Sequence, residues 1–251
     1  MRAQDQLLGS RTRVTPRYAV LPLEGIPFSR LPEWPQAQVR VLAGPALGAG
    51  FAEYMLELPV GGSGAHAADG RIEFFFYLLS GSLSVKIAGH DYLLRKGGYA
   101  FASSKSSFLA EAKEPASLLL LRKRYEEAAG VAPPGESLVG NQADVSSSVY
   151  YGDSGARLQE LLPNDLSFDL AMNIFTFDSG HSLPVTETHV MEHGLYMLEG
   201  KGVYFLGDSW MEVEATDFIW MGPFCPQSYY ATGPQASRYI YYKNVNREIP
   251  L

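Results

Sequence analysis

Two stretches of the chain repeat one pattern of residues at a constant offset of 119 positions, and this repeat restricts the chain to a duplicated fold. The matching pairs are Gly61 with Gly180, Glu73 with Glu192, Tyr77 with Tyr196, Leu79 with Leu198, and Gly81 with Gly200. No gap is needed to align them. Because self-similarity at a fixed offset marks a tandem structural unit, the sequence predicts two copies of one small domain.

Each copy has the pattern of a β-domain. Short apolar runs alternate with glycine-rich turns, as in Phe74–Leu79, Leu83–Ile87 and Leu118–Leu121, and the rhythm returns between Phe168 and Tyr242. Runs of this length are typical of buried strands, and the 25 Gly, 15 Tyr and 13 Phe residues favour strands and turns. One exception is expected, a short helix over residues 156–162 that ends before Pro163. The fold class predicted is therefore all-β, with two tandem barrels.

The spacing of prolines and polar residues predicts four regions. Residues 1–38 contain five prolines and are expected to form an extended arm that lies over the barrels. Residues 39–125 form the first barrel, and residues 126–160 form a linker that contains Pro133-Pro134-Gly135. Residues 161–251 form the second barrel.

Charge and cysteine content exclude several classes of protein. The formal net charge of −7 argues against a nucleic-acid partner, which requires a basic surface. Cys225 is the single cysteine, so no intramolecular disulfide forms and a reducing compartment is suitable. Met1–Val14 has no apolar run of the signal-peptide type, and no stretch approaches the roughly 20 apolar residues of a membrane helix. We therefore expect a cytoplasmic protein without a membrane partner.

The segment from Glu187 to His193 contains the residues with the clearest chemistry. Alternate side chains of a strand share a face, so Glu187, His189 and His193 are expected on one side. Two imidazoles and a carboxylate inside a barrel suit a first-row divalent metal. The other interpretation is a polar interior stripe with hydrogen-bonded histidines. Glu192 is expected on the opposite face, in a structural role.

This segment resembles the first motif of the cupin superfamily. The spacing from Glu187 through His189 and His193 to Gly200 matches the motif, although Glu and His exchange the first and third ligand positions. Gly180 lies one residue farther from Glu187 than the motif requires. The resemblance implies two double-stranded β-helix (jelly-roll) barrels, that is, a bicupin.

The second cupin motif is more divergent. Aligned on the segment 217–221, it places Gln227 at the fourth ligand position, with Gly222 in place of the proline and Phe224 in place of the glycine. Subtracting 119 from the four ligand positions gives Ala68, Gly70, Phe74 and Phe108 in the first barrel. His66 and Glu73 lie nearby but off these positions. We therefore expect one metal site per chain and a metal-free first barrel.

Longer segments resemble the (S)-ureidoglycine aminohydrolase family. They are 187–194, 202–210, 220–227 and 237–247 in the second barrel, and 72–81 and 97–99 in the first. The resemblance implies hydrolysis of (S)-ureidoglycine to (S)-ureidoglycolate and ammonia, a step in allantoin and purine degradation. It implies manganese held by Glu187, His189, His193 and Gln227. It also implies that Tyr204, Tyr239 and Lys243 line the substrate.

The residues themselves are consistent with these roles. Ser237–Lys243 has the pattern of a strand, so Tyr239, Tyr241 and Lys243 are expected on one face. One carboxylate and three neutral ligands leave Mn2+ with a net charge of about +1, which suits a small anionic substrate. Glu187 is a candidate general base. The family resemblance and the aromatic strands together favour a homo-oligomer.

Two other functions are compatible with the sequence. One is a different metal-dependent cupin enzyme, a dioxygenase or an isomerase, although the Gln227 ligand is atypical of both. The other is a non-catalytic bicupin that binds a small molecule. No helix-turn-helix or basic segment accompanies the barrels to suggest DNA binding.

Overall fold

The structure, a computed structural model, describes residues 10–135 and 137–248. The first nine residues of the predicted arm, Glu136 in the predicted linker and the last three residues lie outside the described residues. The described chain is all-β, as predicted, and its only helices are three short 3-10 turns at Leu23–Gly25, Pro45–Leu47 and Gln142–Asp144. None of these described helices is long and apolar enough to cross a membrane.

The strands are β1 (Arg13–Val14), β2 (Tyr18–Leu21), β3 (Phe28–Leu31), β4 (Trp34–Ala43), β5 (Phe51–Leu58), β6 (Ser63–His66), β7 (Ile72–Ser80), β8 (Ser82–Ile87), β9 (His90–Arg95), β10 (Gly98–Ala102), β11 (Phe108–Ala112), β12 (Ala116–Arg124), β13 (Leu138–Asn141), β14 (Ser148–Tyr150), β15 (Asp153–Glu160), β16 (Leu170–Phe177), β17 (His193–Glu199), β18 (Lys201–Leu206), β19 (Ser209–Glu214), β20 (Phe218–Met221), β21 (Gln227–Ala231) and β22 (Ser237–Asn244).

The first barrel is built from two sheets that enclose an apolar core. The larger sheet has the order β13-β10-β7-β12-β5-β4-β3, and the smaller has the order β6-β11-β8-β9. Phe76 and Leu120 of the larger sheet and Val85 and Ala110 of the smaller sheet belong to one buried cluster. The alternation of apolar residues along each strand therefore directs one face of each sheet into the barrel.

The second barrel has the same design. Its larger sheet has the order β1-β2-β20-β17-β22-β16-β15-β14, and its smaller sheet has the order β19-β18-β21. The interior is rich in tyrosine, because Tyr239 of the larger sheet and Tyr204 and Tyr229 of the smaller sheet are all buried there. A barrel lined with phenol groups can both exclude water and supply hydrogen bonds.

The duplication is confirmed by four pairs of strands whose bounds match at the offset of 119. Adding 119 to the bounds of β5, β8, β9 and β11 gives the bounds of β16, β18, β19 and β21. Gly81 and Gly200 end the first strand of a hairpin in each barrel with φ values of 78° and 75°. A Cβ at Gly81 would lie 2.1 Å from the Pro115 carbonyl oxygen, so only glycine fits there.

Two expectations about local structure are corrected. Residues 156–162 do not form a helix, since Asp153–Glu160 is strand β15 and pairs with β14 and β16. Ladder pairing on both sides overrides the local helix propensity of this segment. The arm does not simply lie over the barrels, because β2 pairs with β20 and β3 pairs with β4.

Internal contacts also divide the chain differently from the predicted ranges. Of the described residues, one compact unit contains 27–135, 137–146, 160–171 and 245–248, and the other contains 10–26, 147–159 and 172–244. Each unit therefore draws strands from segments that the sequence assigned to the arm or the linker.

Candidate active site

A cavity of about 480 Å³ lies inside the second barrel, and all seven predicted site residues line it. They are Glu187, His189, His193, Tyr204, Gln227, Tyr239 and Lys243. The cavity combines carboxylate, imidazole, amide, phenol and ammonium groups with the apolar side chains of Phe175, Leu183 and Leu195. Such convergence of polar groups in a concave site is typical of a ligand-binding cavity.

The backbone that carries the predicted metal ligands is not a continuous strand, which corrects the expectation for Glu187–His193. Two isolated bridges, Ser182 to Tyr230 and Glu187 to Gln227, pair this part of the chain with β21, and Leu183 N also donates to Tyr229 O at 2.9 Å. Ser182 and Glu187 are five residues apart, whereas their partners Tyr230 and Gln227 are three residues apart. Two extra residues therefore form a bulge between Ser182 and Glu187. Pro184 lies in the bulge and has no N–H to donate to a ladder.

The two histidines come together from different backbone settings. His193 begins β17, whereas His189 lies in the preceding loop and its carbonyl oxygen accepts a hydrogen bond from Phe224 N at 2.7 Å. Their ring centroids are 4.8 Å apart. Burial lowers the pKa of His189, and burial together with the charges of His189 and Lys243 lowers the pKa of His193 well below its usual value. Both imidazoles are therefore neutral at pH 7 and able to donate a lone pair.

The Gln227 side chain joins the histidines to the tyrosines. Its Nε2 lies 3.1 Å from His189 Nε2, and its Oε1 accepts a hydrogen bond from Tyr204 Oη at 3.4 Å. Gln227 is only 3% exposed. Because the orientation of an amide is assigned from such contacts, either amide atom can face the imidazole.

The carboxylate of Glu187 faces a residue that the sequence did not indicate. Tyr150 Oη donates a hydrogen bond to Glu187 Oε1 at 2.8 Å. Within residues 10–135 and 137–248, no three His, Cys, Asp or Glu side chains form a cluster tight enough to hold a metal ion. In this arrangement Glu187 is thus engaged by a phenol rather than gathered with the two histidines.

The four predicted ligands nevertheless fit a divalent metal in their chemistry. The Nδ1 atoms of His189 and His193 are buried and have no hydrogen-bond partner among the described residues. A buried polar atom without a partner costs free energy, so a partner such as a metal ion or water is expected. One carboxylate, two imidazoles and one amide are suitable ligands for a first-row divalent ion.

The tyrosines and Lys243 form the other wall of the cavity. Tyr239, Tyr241 and Lys243 lie on one face of β22 and line the cavity, as the period of two predicted. Burial raises the pKa of Tyr204 and of Tyr239, so both phenols stay protonated. Lys243 is half-buried and is the single lysine or arginine among the described residues that line the cavity.

Comparison with known proteins identifies the family. No family model matches the chain. A curated relative, the (S)-ureidoglycine aminohydrolase of Escherichia coli (strain K12), is 34% identical over 253 residues that cover 99% of this chain and 96% of the relative. The chain belongs to the (S)-ureidoglycine aminohydrolase family.

Two solved structures are similar to the chain over most of its length. The crystal structure of a Pseudomonas aeruginosa protein named as glyoxylate-induced is 36% identical, with a TM-score of 0.89 over 98% of this chain and 94% of that one. A cupin barrel-domain protein from Leptotrichia buccalis is 14% identical, with a TM-score of 0.63 over 90% and 96%. The second likeness shows the fold alone, because its sequence identity is low.

Sequence reasoning missed two tyrosines that line the cavity of this family member. Tyr150 and Tyr151 were placed in the linker, yet Tyr150 ends β14 and both side chains line the cavity. The signal available was a pair of aromatic residues inside an otherwise polar segment. Glu192, by contrast, accepts a hydrogen bond from Trp220 Nε1 at 3.3 Å and is not among the cavity-lining residues.

In the first barrel, aromatic side chains fill the position that corresponds to the cavity of the second barrel. Phe74 and Phe108 replace His193 and Gln227, and together with His66 they line a space of only about 10 Å³. His66 pairs with Phe108 as Glu187 pairs with Gln227. By the constant offset of 119, His66 does not fall on a ligand position. The strand pairing shows instead that His66 corresponds to Glu187, because the bulge after Ser182 shifts the register of the second barrel by two residues.

Proposed function

We propose that the protein hydrolyses (S)-ureidoglycine to (S)-ureidoglycolate and ammonia with a divalent metal, manganese, in the second barrel. The observation that carries this proposal is the 34% identity to the Escherichia coli (S)-ureidoglycine aminohydrolase over nearly the whole of both chains. The cavity of about 480 Å³ supports it, because the predicted ligands and the predicted substrate-lining residues share that one space.

Glu187, His189, His193 and Gln227 would hold the metal. Because the imidazoles and the amide are neutral, only Glu187 reduces the charge of the ion. The metal centre would therefore keep a net charge of about +1. The oxygen ligands favour manganese over softer metals. When bound, the ion supplies a positive charge that attracts the substrate carboxylate and polarises the reacting carbon.

The side chains of the protein bind the substrate and transfer the proton. The Lys243 ammonium binds the substrate carboxylate, and the protonated phenols of Tyr204 and Tyr239 hydrogen-bond the ureido group. The reaction breaks the bond between the α-carbon and the amino nitrogen and forms a bond from that carbon to the oxygen of water. Glu187, which would leave the metal for this step, accepts a proton of that water and passes it to the amino nitrogen, so that the amino group leaves as ammonia.

We further propose that the protein works in the cytoplasm, within purine degradation, and as a homo-oligomer. The single cysteine, Cys225, is compatible with a reducing compartment. Exposed aromatic residues on the smaller sheet of the second barrel, Trp210 at 56% and Tyr230 at 41%, support assembly with other copies. Light scattering of the purified protein measures its molar mass; a monomer would contradict this part of the proposal.

The decisive experiment measures ammonia release from freshly generated (S)-ureidoglycine. Metal-stripped protein is assayed with and without added manganese, and the His193→Ala variant serves as the matched control. Manganese-dependent release that yields the S product supports the proposal, and the control variant should remain at the spontaneous rate. Release at the spontaneous rate by the wild type would overturn it. Oxygen uptake or sugar-phosphate isomerisation by the same preparation would point to the other cupin activities.

A further inference from the structure

Tyr150 contacts the carboxylate of the candidate site from a strand outside the cupin motifs. Its Oη donates to Glu187 Oε1 at 2.8 Å, which leaves the second oxygen of that carboxylate for another partner. Glu187 is the single carboxylate among the described residues that line the cavity. The phenol of Tyr150 therefore acts on the group that would be both the anionic metal ligand and the proton acceptor.

The ring of Tyr150 is held in place by two aromatic neighbours. It packs edge-on against Phe175 at 4.8 Å and against Tyr151 at 4.7 Å between ring centroids, with interplanar angles of 85° for both. The hydroxyl is thus held in a fixed position from which it donates to Glu187.

The first barrel provides an internal comparison for this position. Subtracting 119 from Tyr150 gives Leu31, which ends β3 as Tyr150 ends β14. β3 pairs with β4 as β14 pairs with β15, and Leu31 lines the small space of the first barrel. The barrel that has phenylalanines at two ligand positions therefore also lacks the hydroxyl. The phenol is thus found in the barrel that has the proposed metal ligands, whereas the first barrel, which shares the fold, has a leucine at this position.

We infer that Tyr150 is a positioning residue that orients the Glu187 carboxylate, so that one oxygen is held by the phenol and the other is presented to the metal. The inference rests on the proposed function in taking Glu187 as a metal ligand. Hydrogen-bond partners of a metal ligand fix its orientation, and their loss costs roughly 10- to 100-fold in metal affinity. The effect of Tyr150 passes through Glu187 and requires no contact with the substrate.

The test compares Tyr150→Phe, which keeps the ring and removes only the hydroxyl, with the wild type. Manganese affinity is measured on metal-stripped protein from the electron paramagnetic resonance signal of free Mn2+. We expect the dissociation constant to rise about 10- to 100-fold. The manganese concentration that half-saturates ammonia release should rise by the same factor, while kcat at saturating manganese changes less than about threefold.

Two controls separate positioning from other roles. Tyr229→Phe removes another buried phenol, which donates to Ser237 Oγ at 2.6 Å in the same barrel, and should leave the manganese affinity unchanged. In a Glu187→Gln background, Tyr150→Phe should have no further effect on manganese affinity. An unchanged or tighter dissociation constant in Tyr150→Phe, or a raised KM with unchanged manganese dependence, would overturn the inference. The binding measurement needs no turnover, so it stands apart from the outcome of the activity assay on the wild type.

Discussion

Glu187 and Gln227 exchange both of their backbone hydrogen bonds, with Glu187 N to Gln227 O at 2.8 Å and Gln227 N to Glu187 O at 2.9 Å. This pair ties two proposed metal ligands, 40 residues apart in the chain, through the main chain alone. Their side chains can therefore be changed without removing the link that positions them.

Replacing Gln227 tests this separation of backbone and side chain. Gln227→Ala should fold as the wild type does, because the bridge to Glu187 is made by the main chain. Because Gln227 is a proposed ligand itself, manganese binding should weaken by more than the roughly 10- to 100-fold that loss of a ligand's hydrogen-bond partner costs. Calorimetric titration with manganese measures the change. Ser228→Ala alters the neighbouring buried residue, which is not among those that line the cavity, and should match the wild type; equal affinity of both variants would contradict the ligand role.

Lys243 should contribute to turnover and not to metal retention. Lys243→Met removes the cationic group that faces the cavity from β22, so kcat/KM should fall about 100-fold through loss of substrate positioning. Steady-state ammonia release gives kcat/KM, and elemental analysis gives the metal content. Arg238→Met changes a cation on the same strand that pairs with Glu199 and does not line the cavity, so its activity should be retained. Loss of manganese from Lys243→Met would be incompatible with the assigned role.

Glu53 should make the first barrel less stable as the pH rises. Burial raises the pKa of Glu53 from 4.5 to about 8, and its Oε2 has no hydrogen-bond partner among the described residues. A raised folded-state pKa means that the folded protein holds the proton more tightly than the unfolded chain. The resulting stabilisation is complete below about pH 4.5 and is lost as the pH rises towards about 8.

The Glu53→Gln variant isolates this effect. Its amide resembles the protonated carboxyl and does not ionise, so Tm should equal that of the wild type at low pH. At a pH above the pKa of Glu53, the Tm of the variant should exceed the Tm of the wild type. Differential scanning calorimetry at both pH values measures the difference, with the exposed Glu114→Gln as the control. A constant difference between variant and wild type across the pH range would contradict the assigned pKa.

The buried ion pair of Lys123 and Asp169 should be more sensitive than a surface pair. Lys123 Nζ lies 2.5 Å from Asp169 Oδ2, and the two side chains are 2% and 0% exposed. Lys123→Met leaves a buried carboxylate without its cation, so the free energy of unfolding should fall by about 3–5 kcal/mol. The exposed pair of Lys113 and Glu111 gives the control, and Lys113→Met should cost about 0–1 kcal/mol. Urea denaturation measures both; similar losses would show that burial of the pair has little effect.

The sequence by itself determined the duplication and the chemical identity of the candidate site. The constant offset from Tyr77 to Tyr196 reflects strands of equal length and hairpins of equal geometry. Such local features can be predicted from the pattern of apolar residues and glycines. The period of two along β22 likewise placed Tyr239 and Lys243 on one face, because alternation in a strand is fixed by its backbone.

Only the tertiary structure decided how the site is assembled. The bulge after Ser182, which brings Glu187 opposite Gln227, depends on pairing between segments that are distant in the chain, so Pro184 alone does not specify it. The same holds for β15, where pairing on both sides overrides a helix-like sequence, and for Tyr150, whose hydroxyl reaches Glu187 across 37 residues. Side-chain type is a local property, whereas register and long-range contacts follow from the packing of the whole barrel.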